Sequence, residues 1–433
     1  MDIVKAAVKF WSRTAVATSK RGAPLECFSY GQILTQASSL ADVIRSSPAV
    51  RDKPRAPDVG PRIAIMAPAG PEYVAATWAS WLAGGVAVPL CLSHPDRELH
   101  VFEQVARGVS WAADKVAPGD GSLIIYTSGT TGRPKGAFHT NRSVQAQMAA
   151  LIAAWEWRAA DNILHTLPLH HTHGIVNALY CAHLTGACVT FQPEFSPAEA
   201  WKALQRDEEP ITVYMGVPTM YSHLLSHYNK SMTPEAQRSA AQAAARLRLT
   251  VCGSAACPIP VMKQWEQLSG QHLLERYGMT ETGMILSNPY HGERRPGAVG
   301  VPLPGVEVKV SATAEESGAP CQPRAQDQDQ DQDQNQAGAN EAEPSYLAGP
   351  GELCVKGDML FKEYWRKPEA TAASFDGQGF FKTGDTAALE GDPPYWRILG
   401  RTSVDIIKSG GFKVSALAIE NVLLAHPQGS MVQ

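Results

Sequence analysis

The residues most clearly arranged for chemistry form one run, Tyr126-Thr127-Ser128-Gly129-Thr130-Thr131-Gly132-Arg133-Pro134-Lys135-Gly136, directly after the apolar stretch Leu123-Ile124-Ile125. Gly129, Gly132 and Gly136 let the backbone approach an anion closely and take positive φ. The hydroxyls of Thr127, Ser128, Thr130 and Thr131 add hydrogen-bond donors, and Arg133 and Lys135 add charge. Such a loop cradles a polyphosphate through N–H groups and hydroxyls. It is not a Walker A loop, which needs Gly-Lys-Ser/Thr after a first glycine and four residues. Here Gly129 is followed by Gly132, and Lys135 by Gly136. The competing reading is a surface Gly/Ser/Thr turn, which the closing Pro-Lys-Gly disfavours.

Four histidines, His165, His170, His171 and His173, crowd a second short segment. Paired histidines can bind zinc, but no partner motif with ligand spacing accompanies these. Further runs follow in order: Gly253-Ser254-Ala255-Ala256, Tyr277-Gly278-Met279-Thr280-Glu281-Thr282, Thr383-Gly384-Asp385, and Gly400-Arg401 through Lys413. Taken alone, Glu281 reads equally as a helix-start carboxylate and Asp385 as a turn residue.

In this order, the runs resemble the motifs of the acyl-adenylating (AMP-binding) superfamily, which includes acyl-CoA synthetases, peptide-synthetase adenylation domains and luciferases. The resemblance covers nearly the whole chain. It implies an enzyme that uses ATP, with Mg²⁺ as cofactor and CoA as co-substrate, to activate a carboxylate as an acyl-adenylate. It also implies roles. Thr127 to Gly132 and Lys135 would hold the terminal phosphates, and Glu281 would coordinate Mg²⁺, a hard cation that favours oxygen ligands. Thr280 would bond the α-phosphate, and Gly253, Ser254, Ala255 and Gly278 would line the nucleotide. Tyr277 would stack on adenine, Asp385 would accept from the ribose hydroxyls, and Arg401 would contact ribose or phosphate. His171 would lie near the reacting carboxylate; the other histidines read as structural.

Within the superfamily, the segments Leu273–Glu281, His291–Gly300 and Gly400–Lys408 look most like those of malonyl-CoA synthetases. A separate physical consideration points the same way. A dicarboxylate keeps one carboxylate after the other reacts, and burying that charge requires a pocket cation. Arginine suits the task because its fork bonds a carboxylate bidentately. Arg276, beside the Tyr277–Glu281 run, is the first candidate and Arg295 the second, with a surface ion pair as the alternative for Arg295. Malonate and methylmalonate differ by one methyl, worth about 1–3 kcal/mol in a pocket, so either acid fits this reading.

The elements that must position these residues alternate. The spacing of Leu34, Leu40, Ala41, Val43 and Ile44 predicts an amphipathic helix. Arg62–Met66 reads as a buried strand, 72–84 as a helix, and Gly84–Pro89 as a turn into another strand. The alternation continues past residue 250 and predicts an α/β fold of stacked, mostly parallel sheets covered by helices. Composition shifts near residue 311. Ala325–Gln336 is nearly pure Gln/Asp and reads as a solvated insertion. The expected organisation is an adenylating core over 1–300, a β-rich subdomain over 301–400 carrying a disordered 311–347 insertion, and a hinge with a stub over 401–433.

The net charge of −4 gives no reason to expect nucleic-acid binding, and no apolar run reaches membrane-spanning length. Eight cysteines without a Cys-x-x-Cys pair read as small buried hydrophobes in a reducing compartment. Cytosol is the default expectation, with mitochondrion or plastid as alternatives. The resemblance also implies a small C-terminal domain bearing a late lysine. No lysine follows Lys413, and Ala418 stands where the family has Glu, although Glu420 remains. The expectation is a C-terminally truncated chain. For function, the alternatives to a malonate-type ligase are a truncated, catalytically impaired ATP- or carboxylate-binding paralogue or isoform, and a ligase for another short carboxylic acid.

Overall fold

The computed structural model describes residues 2–19, 24–51, 60–92, 121–127, 134–311, 346–402, 405–409 and 412–416, together with 419, 420 and 422. The Gln/Asp-rich stretch and the phosphate-loop residues Ser128 to Arg133 lie outside them.

The chain opens with a helix, Asp2–Lys9, and a strand pair, β1 (Thr14–Thr18) and β2 (Glu26–Ser29). Next come β3 (Arg62–Ile65), β4 (Val86–Pro89), β5 (Gly121–Thr127), β6 (Lys135–Thr140), β7 (Asn162–His165) and β8 (Cys188–Phe191). The second half adds β9 (Val213–Gly216), β10 (Leu249–Cys252), β11 (Leu274–Met279), β12 (Gly283–Ser287) and β13 (Val301–Pro302). It closes with β14 (Val306–Ser311), β15 (Tyr346–Gly357), β16 (Glu363–Tyr364), β17 (Phe381–Glu390) and β18 (Tyr395–Arg401), then a hairpin of β19 (Ile406–Ser409) and β20 (Phe412–Ser415).

These strands build a nine-stranded sheet ordered β13-β12-β11-β10-β9-β7-β8-β1-β2 and a five-stranded sheet ordered β16-β6-β5-β4-β3. A four-stranded sheet follows the order β14-β15-β17-β18. In the large sheet β11, β10, β9, β7, β8 and β1 run parallel, with antiparallel strands only at the ends. The inner strands β7 to β10 are buried at every position, as a sheet covered on both faces requires. The α/β fold is therefore the observed one.

The three sheets meet where the site lies. Ile285 and Leu286 of β12 pack with Leu353, Val355, Ala387 and Trp396, which seats the four-stranded sheet on the β11–β12 hairpin. Ala137 of β6 packs with Phe361, Tyr364 and Phe381, joining the five-stranded sheet to the same seam. At roughly 25 cal/mol per Å² of apolar surface, each buried aromatic contributes about 1.5–3 kcal/mol to this junction. Within residues 301–400, β16 leaves the four-stranded sheet and pairs with β6.

Local expectations fared unevenly. The helix Pro71–Leu82 and the Gly84–Gly85 turn into β4 form as read. The helix over 34–44 forms as part of Tyr30–Ser46, started by a capping box between Ser29 and Gln32. Its apolar stripe is narrower than the pattern implied: Leu34 and Ala41 are buried, whereas Leu40 and Val43 face solvent. The strand at 62–66 also departs from expectation, since only Ile65 is buried and Met66 is exposed. The β1–β2 pair ahead of that helix has no counterpart among the elements read from the sequence. Five cysteines are buried, but Cys27 on β2 is exposed. Among the described residues no helix is long and apolar enough to cross a membrane.

Candidate active site

Strand β11 and the turn after it carry most of the site. Side chains alternate across a strand, so Glu275 and Tyr277 project to one face and Arg276 to the other. Gly278, the penultimate residue of the strand, follows a register shift against β12. A Cβ there would stand 2.1 Å from the Gly283 carbonyl oxygen, so only glycine permits the tight hairpin that presents Thr280 and Glu281.

Glu281 is buried and accepts from the Tyr364 hydroxyl at 2.7 Å. The Lys135 ammonium sits 4.3 Å from the centroid of the same tyrosine ring. The loop motif and the 280–281 turn are thus brought together through a residue of β16. Lys135 itself opposes Thr127 in the β5–β6 ladder, so the unbroken part of the loop motif is the last rung of a hairpin. Below the turn, His139 donates from Nε2 to the Thr280 carbonyl at 2.7 Å. Burial pulls the His139 imidazole down to about 4, so it is neutral at physiological pH.

Asp385 and Arg401 are direct partners across β17 and β18, and Arg401 Nε lies 3.0 Å from Asp385 Oδ1. The Tyr277 hydroxyl donates to Asp385 Oδ2. Burial raises the Asp385 carboxyl above its ordinary range, opposed by the Tyr277 bond and the Arg401 charge. Burial also raises the Tyr277 phenol, and the neighbouring Asp385 adds to this. Arg401 donates further to the Thr383 carbonyl at 3.2 Å, and its own N–H to Asp405 at 2.8 Å. The 383–385 and 400–405 motifs therefore form one partnered corner with Tyr277.

Arg276 lies in different surroundings. It is only 4% exposed, and among the described residues no carboxylate pairs with it. Its Nη2 donates to Ser254 Oγ at 3.2 Å, while its Nε–H has no partner among the described residues. The guanidinium passes under the Gly253–Ser254 turn, and a Cβ on Gly253 would approach its Cζ to 2.7 Å. Burial lowers the Arg276 guanidinium to about 10, which leaves it charged at neutral pH. The adjacent Glu275 faces away. It accepts the N–H groups of Cys257 at 3.2 Å and Gly297 at 2.8 Å, and burial pushes it up to about 7.

Arg295 has a different setting from Arg276. It pairs with Glu293 at 3.0 Å, donates to the carbonyls of Pro393 and Asp392, and stacks on Tyr395. Its donors are thus taken up by the protein. The histidine segment also divides. His165 is buried and donates to the Gly174 carbonyl at 2.8 Å, His170 and His171 pack ring on ring with His171 exposed, and His173 is buried. His173 Nδ1 lies 3.3 Å from Ser254 Oγ, which joins His173 to Arg276 through one hydroxyl. Burial holds the His173 imidazole well below its ordinary value, and the Arg276 charge adds to this. Sequence reasoning placed His173 among the structural histidines; its spacing from His171 carried no signal of which ring turns inward.

Against known proteins, the AMP-binding enzyme family matches residues 101–365. A probable CoA ligase of Humulus lupulus is 38% identical, over 99% of this chain and 78% of its own length. The mitochondrial malonate–CoA ligase ACSF3 of Mus musculus is 42% identical, over 84% of this chain and 68% of its own. ATP-bound MatB from Rhodopseudomonas palustris superposes with a TM-score of 0.76 at 29% identity, over 98% of this chain and 83% of that one. A malonyl-CoA ligase in a ternary product complex with methylmalonyl-CoA and AMP gives a TM-score of 0.70 at 33% identity, over 96% of this chain and 83% of that one. The chain belongs to the AMP-binding enzyme family and is an AMP-forming acyl-CoA ligase by descent.

Proposed function

We propose that the chain ligates malonate to CoA at the expense of ATP. The observation that supports this best is the Arg276 guanidinium, buried, charged and without a carboxylate among the described residues. A cation in that state costs several kcal/mol until an anion joins it. A dicarboxylate supplies that anion with the group that does not react. The names of relatives and neighbours, which include malonate–CoA ligases of Mus musculus and Arabidopsis thaliana, point to the same acid.

In this reading one malonate oxygen attacks the α-phosphorus of ATP. The bond to the β-phosphate oxygen breaks, and pyrophosphate leaves. The CoA thiol then attacks the acyl carbon, losing its proton, and AMP departs. Catalysis rests on placing the reactants and stabilising developing charge. Asp385 accepts from the ribose hydroxyls, Tyr277 stacks on the base, and Arg401 bonds ribose or phosphate. Gly253, Ser254, Ala255 and Gly278 line the nucleotide. Lys135, with Thr127, Ser128, Gly129, Thr130, Thr131 and Gly132, receives the terminal phosphates, and Thr280 the α-phosphate. His171 serves the reacting carboxylate.

Glu281 suits Mg²⁺: it is a buried carboxylate with one oxygen fixed by Tyr364, and Mg²⁺ commonly takes one or two carboxylates plus substrate phosphates. When bound, the ion neutralises phosphate charge. Arg295, engaged by Glu293, is the weaker choice for the free carboxylate.

The test is a pyrophosphate-release and thioester assay with MgATP, CoA and a panel of malonate, methylmalonate, acetate and succinate. Malonate-dependent release, reduced at least tenfold with acetate, is the expected result. A preference for acetate would remove malonate as the substrate.

A further inference from the structure

The hydroxyl of Ser254 sits between the Arg276 guanidinium and the His173 imidazole, and that position couples their protons. Arginine only donates, so Ser254 Oγ accepts from Arg276 Nη2 at 3.2 Å. The serine keeps one proton of its own, and in the arrangement taken here it donates that proton to His173 Nδ1, 3.3 Å away. An imidazole that accepts at Nδ1 and is neutral must carry its own proton at Nε2. That Nε2–H is buried and has no partner among the described residues, as is Arg276 Nε–H. Two donors tied to one hydroxyl are therefore both left without an acceptor. Buried unpaired donors are rare because each costs about 1–3 kcal/mol.

The surrounding backbone supports a functional reading. His173 begins a π-helix, His173–Tyr180, a rare conformation frequent at functional sites. Asn177, in the same π-helix, is fully buried and its amide also lacks a partner among the described residues.

We infer that His173 is a second donor to the free carboxylate of the substrate, paired with Arg276 and locked in its Nε2–H form by Ser254. This rests on the dicarboxylate reading above and deepens it: Arg276 supplies charge, and His173 supplies direction. A carboxylate offers two oxygens, enough to receive both donors. A monocarboxylate lacks the group that would satisfy them, and a site built to bond a polar group rejects analogues without it. Its binding would leave both donors buried and unpaired.

The test titrates malonate and acetate by calorimetry into the full chain saturated with ATP analogue, for the parent, R276M, H173A, H173Q and S254A. In parallel, ¹⁵N-histidine NMR follows the His173 tautomer. In the parent, His173 is expected as the Nε2–H tautomer, with that proton moving downfield on adding malonate. H173A should weaken malonate binding about 10–50-fold and shrink the discrimination against acetate by a similar factor. H173Q, which keeps an N–H donor, should recover part of both. S254A should raise the Nδ1–H population before any ligand is added.

Parent-like discrimination in H173A, or an Nε2–H resonance indifferent to malonate, overturns the role of His173. If R276M abolishes malonate binding at the same time, the dicarboxylate reading stands without it. A parent chain that binds acetate as tightly as malonate overturns the dicarboxylate reading itself.

Discussion

Two corners of one strand handle charge in opposite ways. On one face of β11, Tyr277 meets a carboxylate, Asp385, that the protein has already surrounded with a phenol and a guanidinium. On the other face, Arg276 is a cation without a countercharge among the described residues. The first corner is finished before ligand arrives, so it can be rigid and tolerant of an empty site. The second is unfinished, and only an anion completes it. The stability of the free protein and its affinity for ligand should therefore rise and fall together at the Asp385 corner, and move in opposite directions at the Arg276 corner.

The largest test is R276L. Malonate kcat/KM should fall about 10²–10³-fold, the range expected when one partner of a buried charge pair is removed. The Tm of the ligand-free protein should nevertheless rise by ~2–5 °C, because an uncompensated buried charge has been replaced by an apolar group. A drop in Tm would mean that Arg276 already has a stabilising partner, and the contrast would fail.

D385A should lower ATP affinity by about 30-fold or more and lower Tm as well. Its stability cost should stay near ~1–2 kcal/mol, since the Arg401 side chain left behind is 40% exposed and solvent screens it. Calorimetry with ATP and a melting curve on one sample check both signs. Y277F sharpens the same corner. Losing one hydroxyl from Asp385 should cost ~1 kcal/mol, and so about fivefold in ATP affinity, with malonate affinity little changed.

The effect confined to stability, with no expected change in ligand affinity, concerns Glu275. Its folded-state value of about 7 lies above the ordinary 4.5. The folded protein therefore holds that proton more tightly than the unfolded chain. The stability this gives is full below pH 4.5 and is lost as pH rises towards 7, at most ~3 kcal/mol. The buried histidines act the other way. His139 and His165, pulled down to about 4, give stability that is lost as pH falls from 6.5. The difference in Tm between parent and E275Q isolates Glu275. It should change across pH 4.5–7 and be flat outside that window, with the parent losing ground as pH rises.

Much of the site could be read from the residues because its motifs are local. Gly278 to Glu281 is one turn, and Thr127 and Lys135, the ends of the loop motif, are paired across one ladder, so close spacing carries their geometry. The fold class was legible for a related reason: buried parallel strands are continuous apolar runs. What escaped depends on partners far along the chain. Tyr277 finds Asp385 108 residues away, and Arg295 is taken up by a carbonyl 98 residues away. Neither relation leaves a mark on neighbouring residues. The inward turn of His173 comes from an irregular helix, whose register does not follow the ordinary periodicity. Leu40 and Val43 show the converse error, where apolar spacing looked continuous but the packing partner covers only part of the stripe.

The ring of Tyr364 stands between Lys135 and Glu281. An ammonium and a carboxylate free to meet would neutralise each other and leave nothing for phosphates or a cation. The tyrosine engages each without letting them touch, the ring face for one and the hydroxyl for the other. It works as the insulator of a small capacitor, holding opposite charges apart until the nucleotide discharges them. A leucine at this position would offer neither contact, and both charges would lose the partner that now holds them.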